Sequence, residues 1–225
     1  FGITGPAKMG SATGLDRGFD EYYEVYEEVA ERPSLAYLKQ LLADADIRRD
    51  FVRTATEGND YYTEIKFDRL RQWLGGHDRS PPFFAMANLT TVHAPYDPPR
   101  PYKREATPEL SRPRFGLFEE LADEPGTFDD DAVDSARLFE VAAGGNSTST
   151  ALRYHDDPSW IPERELEVIR SWYGASLRYL DDRLHAFLDW FERVGLDENT
   201  VVVLTSDHGE LFGEHELLYH RNFLY

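Results

Sequence analysis

Two short apolar runs interrupt a chain that is otherwise amphipathic, Phe83-Phe84-Ala85-Met86-Ala87-Asn88-Leu89 and Val201-Val202-Val203-Leu204. Runs of this length, bounded by polar residues and in the second case β-branched, read as strands covered on both faces of a parallel sheet. Elsewhere the apolar positions recur at three- and four-residue steps, the spacing of helices with one buried face. Leu35, Leu38, Leu41 and Leu42 predict a helix over Ser34 to Asp46, with Ser34 as its N-cap. Tyr61, Ile65, Phe67, Leu70 and Trp73 predict another over about Asp60 to Leu74, stopped by Gly75 and Gly76. A short helix is expected from about Asp130 to Ala143. The longest pattern begins at Pro162, with Glu163 and Glu165 in its first turn, runs through Trp172, Leu180 and Phe187, and is closed by Gly195. A long helix, a short loop and an apolar strand form half of a right-handed crossover unit, so the expected class is α/β. The glycine-rich first 23 residues predict turns and close backbone approach rather than a helix or an interior strand.

Composition narrows the partners. With 42 Asp and Glu against 24 Lys and Arg, the formal charge is −18, and the only lysines are Lys8, Lys39, Lys66 and Lys103. Such a surface repels nucleic acid and anionic membranes. It also fits concentrated salt, where the Debye length falls to ~3 Å and acidic self-repulsion is screened. Salt adaptation of this kind favours a cytoplasmic location, with any targeting segment expected before Phe1. The chain holds no cysteine, hence no disulfide framework and no thiolate nucleophile or ligand. No apolar stretch is long enough to span a bilayer.

Both apolar runs end in chemistry. After Leu204 come Thr205, Ser206, Asp207, His208 and Gly209, at the strand end where open α/β sheets hold ligands. A carboxylate beside an imidazole on a tight turn suits a divalent cation; the bare tripeptide is equally an ordinary turn in which Asp bonds its own backbone. After Leu89 come Thr90-Thr91-Val92-His93-Ala94-Pro95-Tyr96-Asp97-Pro98-Pro99, an exit loop whose prolines restrict φ and can hold one imidazole in place. Between them, residues from about 101 to 157 are proline-rich, then acidic, then small and polar, and read as an inserted excursion. Asp181 and Asp182 sit mid-helix among arginines, where salt bridging is the expected role.

The longer strings resemble one family. Ser206-Asp207-His208-Gly209-Glu210 followed by Gly213-Glu214-His215, with His93-Ala94-Pro95-Tyr96 and Gly18-Phe19-Asp20 in the same order upstream, resemble the signature segments of the sulfatase family within the alkaline phosphatase-like superfamily. The resemblance implies a mixed, mainly parallel sheet with helices on both faces, incomplete at both ends of this chain, with residues 1–225 forming part of a single catalytic domain. It implies that Asp207 and His208 belong to a metal shell, with Ca²⁺ the family's metal and Mn²⁺ or Zn²⁺ open to an imidazole ligand. His93 is implied to touch the sulfate ester. His220 stands where the family often has a substrate-contacting lysine. Gly5-Pro6-Ala7-Lys8-Met9-Gly10 stands where the family commonly reads Gly-Lys-Trp-His-Leu-Gly, which makes Lys8 the remaining cation of that segment. His215 is read as a group supporting the ligands or as a loop anchor, not as a ligand itself.

The implied activity is hydrolysis of sulfate esters on a small molecule or carbohydrate. Cations and aimed donors would hold the sulfate oxygens and stabilise the departing alkoxide. The family takes its nucleophile from a Cys- or Ser-x-Pro-x-Arg segment oxidised to formylglycine, and further metal carboxylates from an Asp-Asp pair on an earlier strand. None occurs between Phe1 and Tyr225, so they are expected upstream and this stretch alone is expected to be inactive. A phosphodiesterase or phosphoglycerol transferase on the same fold, and a binding module that keeps the fold without catalysis, are the competing readings.

Overall fold

The computed structural model describes residues 1–4, 13–25, 63–78, 80–108, 133–143 and 147–220. The expected helix over Ser34 to Asp46, the segment holding Lys8 and the acidic run of the excursion lie outside them.

Three parallel strands form one sheet in the order β2-β1-β3: β1 (Gly2–Thr4), β2 (Tyr22–Glu24) and β3 (Met86–Ala87). Ile3 is in register with Tyr23 on one side and Ala87 on the other. The expectation that the glycine-rich start excludes an interior strand is overturned, because β1 is the central strand and all three of its residues are buried. The physical reason is close approach. A Cβ on Gly2 would lie 2.4 Å from Cδ2 of Tyr22, so the missing side chain is what lets the Tyr22 ring cover the strand.

The α-helices of the described residues are, in chain order, α1 (Thr63–Gly76), α2 (Arg100–Ala106), α3 (Ser135–Ala143), α4 (Ser147–Asp156) and α5 (Glu163–Arg193). α1, α3 and α5 follow the predicted periodicity, although α1 runs on through the two glycines expected to stop it; α2 and α4 form where the excursion was not expected to be helical. Among the described residues no helix is long and apolar enough to cross a membrane. The 31 residues of α5 extend for about 46 Å at the usual helical rise, enough to tie two cores together. Leu166, Val168, Ile169 and Trp172 in its first half pack with Tyr96, Leu138, Val141, Phe212 and Leu218. Phe187 and Phe191 near its end pack with Phe1 and Ile3 of β1 and with Phe67, Leu70 and Leu74 of α1. Gly195, at φ 68°, ends α5: its N–H donates to Glu192 O and the N–H of Leu196 to Phe191 O, the paired bonds of a Schellman cap with Leu196 and Phe191 in the same apolar cluster. Asp182 accepts a hydrogen bond from the Tyr102 hydroxyl on α2, a partner that helix spacing does not show.

Val201-Val202-Val203-Leu204 departs furthest from expectation. The run enters extended backbone at Thr200 (φ −134°, ψ 132°), but it joins no ladder among the described residues. Its side chains are 88%, 55%, 79% and 73% exposed. Apolar, β-branched composition favours a pleated surface; burial also needs a neighbouring strand and a covering layer. The first run also pairs only at Met86–Ala87, and Phe84 is 68% exposed.

Candidate active site

The segment after Leu204 is positioned by a hairpin instead. β4 (Leu211–Phe212) pairs antiparallel with β5 (Leu218–Tyr219), Leu211 opposite Tyr219. The five residues between them form the turn. Gly213 has φ 108°, and a Cβ there would fall 2.9 Å from the Tyr154 hydroxyl and 3.2 Å from Leu166 Cδ1; glycine fits both the left-handed backbone and the close approach. Its N–H donates to Leu217 O. Glu214 accepts from Phe212 N. Partial burial pushes its carboxyl up, but the backbone N–H donors of Phe212 and Glu214 and the charge of Arg170 outweigh that and hold it below its usual value. His215, at φ 57°, is exposed within the turn. Phe212 and Leu218 are buried against α5 and α3, and Arg170 of α5 donates to Phe212 O, fixing the hairpin on the body.

Extending the register by one pair sets Glu210 across from His220. Nδ1 of His220 lies 3.0 Å from Oε1 of Glu210. The His208 ring stacks on His220 at 4.1 Å, and the His93 ring meets His220 edge-on at 5.0 Å. His93 therefore joins the Asp207–His208 pair through His220, and residues 127 positions apart in sequence share one cluster.

The loop after β3 delivers His93. Thr91 is buried and its hydroxyl lies 2.6 Å from that of Thr63 at the start of α1. The buried Lys66 donates to Thr90 Oγ1, and His93 N donates to Thr90 O. Tyr96 N donates to Ala142 O on α3, and the Tyr96 ring packs against Phe212. The imidazole is exposed while the residues on either side of its loop are anchored.

The three histidines share one hydrogen-bonding pattern. Nδ1 of His93 lies 2.7 Å from Ala94 O, Nδ1 of His208 lies 2.9 Å from Gly209 O, and Nδ1 of His220 faces Glu210. A carbonyl or a carboxylate can only accept, so Nδ1 carries the hydrogen in each, and Nε2 is left with a lone pair in the neutral ring.

The Asp207 turn has ordinary Asp-turn geometry and leaves its second carboxylate oxygen near an imidazole nitrogen. Oδ1 accepts from His208 N, as in an ordinary Asp turn, while Oδ2 lies 3.6 Å from Nε2 of His208. Two ligands each about 2–2.5 Å from one ion can keep such a separation, and an Nδ1–H held by a backbone carbonyl is how metal-bound histidines are usually oriented. Asp207 and His208 thus fit two places of a cation shell. Among the described residues no group of three or more His, Asp or Glu side chains is placed to hold an ion, so this pair does not complete a shell by itself. Sequence reading missed Glu210 and the inward course of Tyr96. Glu210 was visible as part of the Asp-His-Gly-Glu string, but its pairing with His220 depends on hairpin register.

The body is α/β with a parallel sheet and an imidazole cluster beside an Asp-His turn, as expected of an alkaline phosphatase-like fold. The sulfatase family model matches residues 4–223, and the chain belongs to that family. It is 26% identical over 145 residues to the multifunctional alkaline phosphatase superfamily protein PehA of Trinickia caryophylli, covering 64% of this chain and 24% of that protein. It is 25% identical over 163 residues to an arylsulfatase of Clostridium perfringens, covering 71% of this chain and 28% of that enzyme. A stretch of 55 residues is 42% identical to iduronate 2-sulfatase of Mus musculus, covering 24% of this chain and 10% of that enzyme. The chain spans about a quarter of the length of the first two relatives. No solved structure matches it.

Proposed function

We propose that this chain contributes the substrate-facing imidazoles and two metal-binding groups of a metal-dependent sulfuric ester hydrolase acting on a sulfated small molecule or carbohydrate. The observation that carries the reading is the grouping of His93, His208 and His220 with each Nδ1 held by an oxygen. Asp207 and His208 hold the cation, with Ca²⁺ the first expectation and Mn²⁺ or Zn²⁺ the alternatives. When bound, the cation polarises the sulfate oxygens as a Lewis acid. His93 and His220 turn Nε2 toward the ester; protonated, that nitrogen donates to a sulfate oxygen or to the departing alkoxide. Lys8, close in sequence to the carboxyl end of β1, is the further cation that the reading assigns to the site. The nucleophile of the class, a formylglycine made from Cys or Ser, is not among residues 1–225 because no Cys- or Ser-x-Pro-x-Arg segment occurs there.

Purified full-length protein, supplied with Ca²⁺ or Mn²⁺, is expected to release sulfate from an aryl sulfate and to lose that activity with chelator. Faster hydrolysis of a phosphate diester than of any sulfate ester would favour the phosphoryl-transfer reading, which the likeness to a multifunctional superfamily protein keeps open. The surface charge supports a second expectation. With 42 acidic against 24 basic residues, unfolding should shift to higher temperature between low salt and molar KCl, as screening removes self-repulsion; an unchanged midpoint would reject salt adaptation.

A further inference from the structure

Glu210 is nearly out of solvent, its side chain 5% exposed, yet among the described residues no guanidinium meets it. The contrast with Glu165 is direct. Glu165, also buried, receives two N–H groups of Arg137 and the backbone N–H of Asp134, the full compensation that a buried carboxylate needs. Glu210 is met by an imidazole whose other face belongs to the cluster: His220 Nδ1 at 3.0 Å, with the ring stacked on His208 and edge-on to His93. Two phenols, Tyr96 and Tyr173, also lie within the electrostatic reach of Glu210. Tyr96 is 1% exposed and its hydroxyl makes no well-formed hydrogen bond among the described residues; burial first, and then Glu210, hold it protonated. The same two causes act on Tyr173. A phenol that stays protonated adds no second negative charge beside the carboxylate. A carboxylate in this position contributes little to stability, since burying it opposes folding, but it defines which ring nitrogen of His220 bears hydrogen.

We propose that Glu210 is the positioning residue of the site, taking Nδ1–H of His220 and thereby turning Nε2 of that ring toward the ester oxygens beside His93. The inference rests on reading His220 as substrate-facing; Glu210 itself touches neither substrate nor metal. A neutral imidazole presents one lone pair, so a substrate-facing His220 needs its ring hydrogen held on the other nitrogen.

The test is ¹⁵N NMR of the full-length protein labelled at histidine, at a pH where the histidines are neutral, with His220→Gln identifying the signal. Wild type is expected to show His220 protonated at Nδ1. Glu210→Gln keeps the volume but can either accept or donate, and is expected to give a mixture of the two ring forms; Glu210→Ala is expected to move the hydrogen predominantly to Nε2. With a sulfate ester, kcat should fall roughly 10- to 100-fold in Glu210→Gln while KM changes much less. An unaltered His220 signal in both variants overturns the proposal, and so does an altered signal with unaltered kcat. If wild type turns over no sulfate ester, the function proposed above fails on its own, while the ring-nitrogen signal still decides whether Glu210 orients His220.

Discussion

His93→Ala in the full-length protein should lower turnover of a sulfate ester by roughly 10²–10⁴-fold, the range for losing a positioned proton donor. Its folding midpoint should stay within about 0.5 kcal/mol of wild type, as for other surface substitutions. The two expectations separate because of where the side chain lies. The imidazole of His93 is exposed, and its Nδ1 bonds the carbonyl of the next residue. What holds the loop is elsewhere, in Thr91 against Thr63, Thr90 under Lys66 and Tyr96 N on Ala142 O. Asp207→Ala should behave alike for stability, its carboxylate being 75% exposed, but its lost turnover should be partly restored by excess metal, whereas that of His93→Ala should not. Measuring kcat against metal concentration for both variants distinguishes the two roles. Full activity in either one would remove that residue from the site.

The second large effect concerns folding. Arg137→Met should destabilise the protein by about 3–5 kcal/mol, because it strands a carboxylate in the interior. Glu165 is 0% exposed and both its oxygens are taken by Arg137, at 2.6 Å each. This pair joins α3 to the first turn of α5, and through them it braces the core on which the β4–β5 hairpin rests. Adding Glu165→Leu should recover most of the loss, because two apolar side chains leave no buried charge. The recovery should stop short by about 1–3 kcal/mol, since the Asp134 N–H would lose the acceptor it has in Glu165 Oε1. Denaturant unfolding of the single and double variants tests this; a single variant within about 1 kcal/mol of wild type would show that the pair is not the brace inferred here.

Glu165 also shows how far a local pattern can be read. In the sequence it is an acidic residue in a helix's first turn, favourable to the helix dipole. In the structure it occupies that turn and is buried against an arginine 28 positions away. Spacing reports which face of a helix turns inward, but it does not identify the group that meets it there. Pro162 and Gly195 needed no such information, because a fixed φ at one end and a left-handed residue at the other act on the backbone alone. α1 and α5 accordingly lie close to where the apolar spacing puts them.

The two apolar runs mark the opposite limit. A strand is completed by a neighbour, and Val201 to Leu204 have none among the described residues. Gly2 to Thr4, which composition argued against, became the central strand because Tyr22 could lie over a residue without a side chain.

By itself the sequence determined helices α1 and α5, the acidic composition, the lack of cysteine in this stretch and the residue types of the site, because each depends on local backbone preference or on composition. Asp207, His208, His93 and His220 could all be named as chemistry at the ends of apolar runs or within a motif. Tertiary structure decided that His93 and His208 meet through His220, that a hairpin rather than a sheet strand places the Asp-His turn, and that Glu210 faces His220. Those are long-range pairings set by strand register and by packing on α5, and a linear pattern of apolar and polar positions holds no information about which distant residue a side chain will meet.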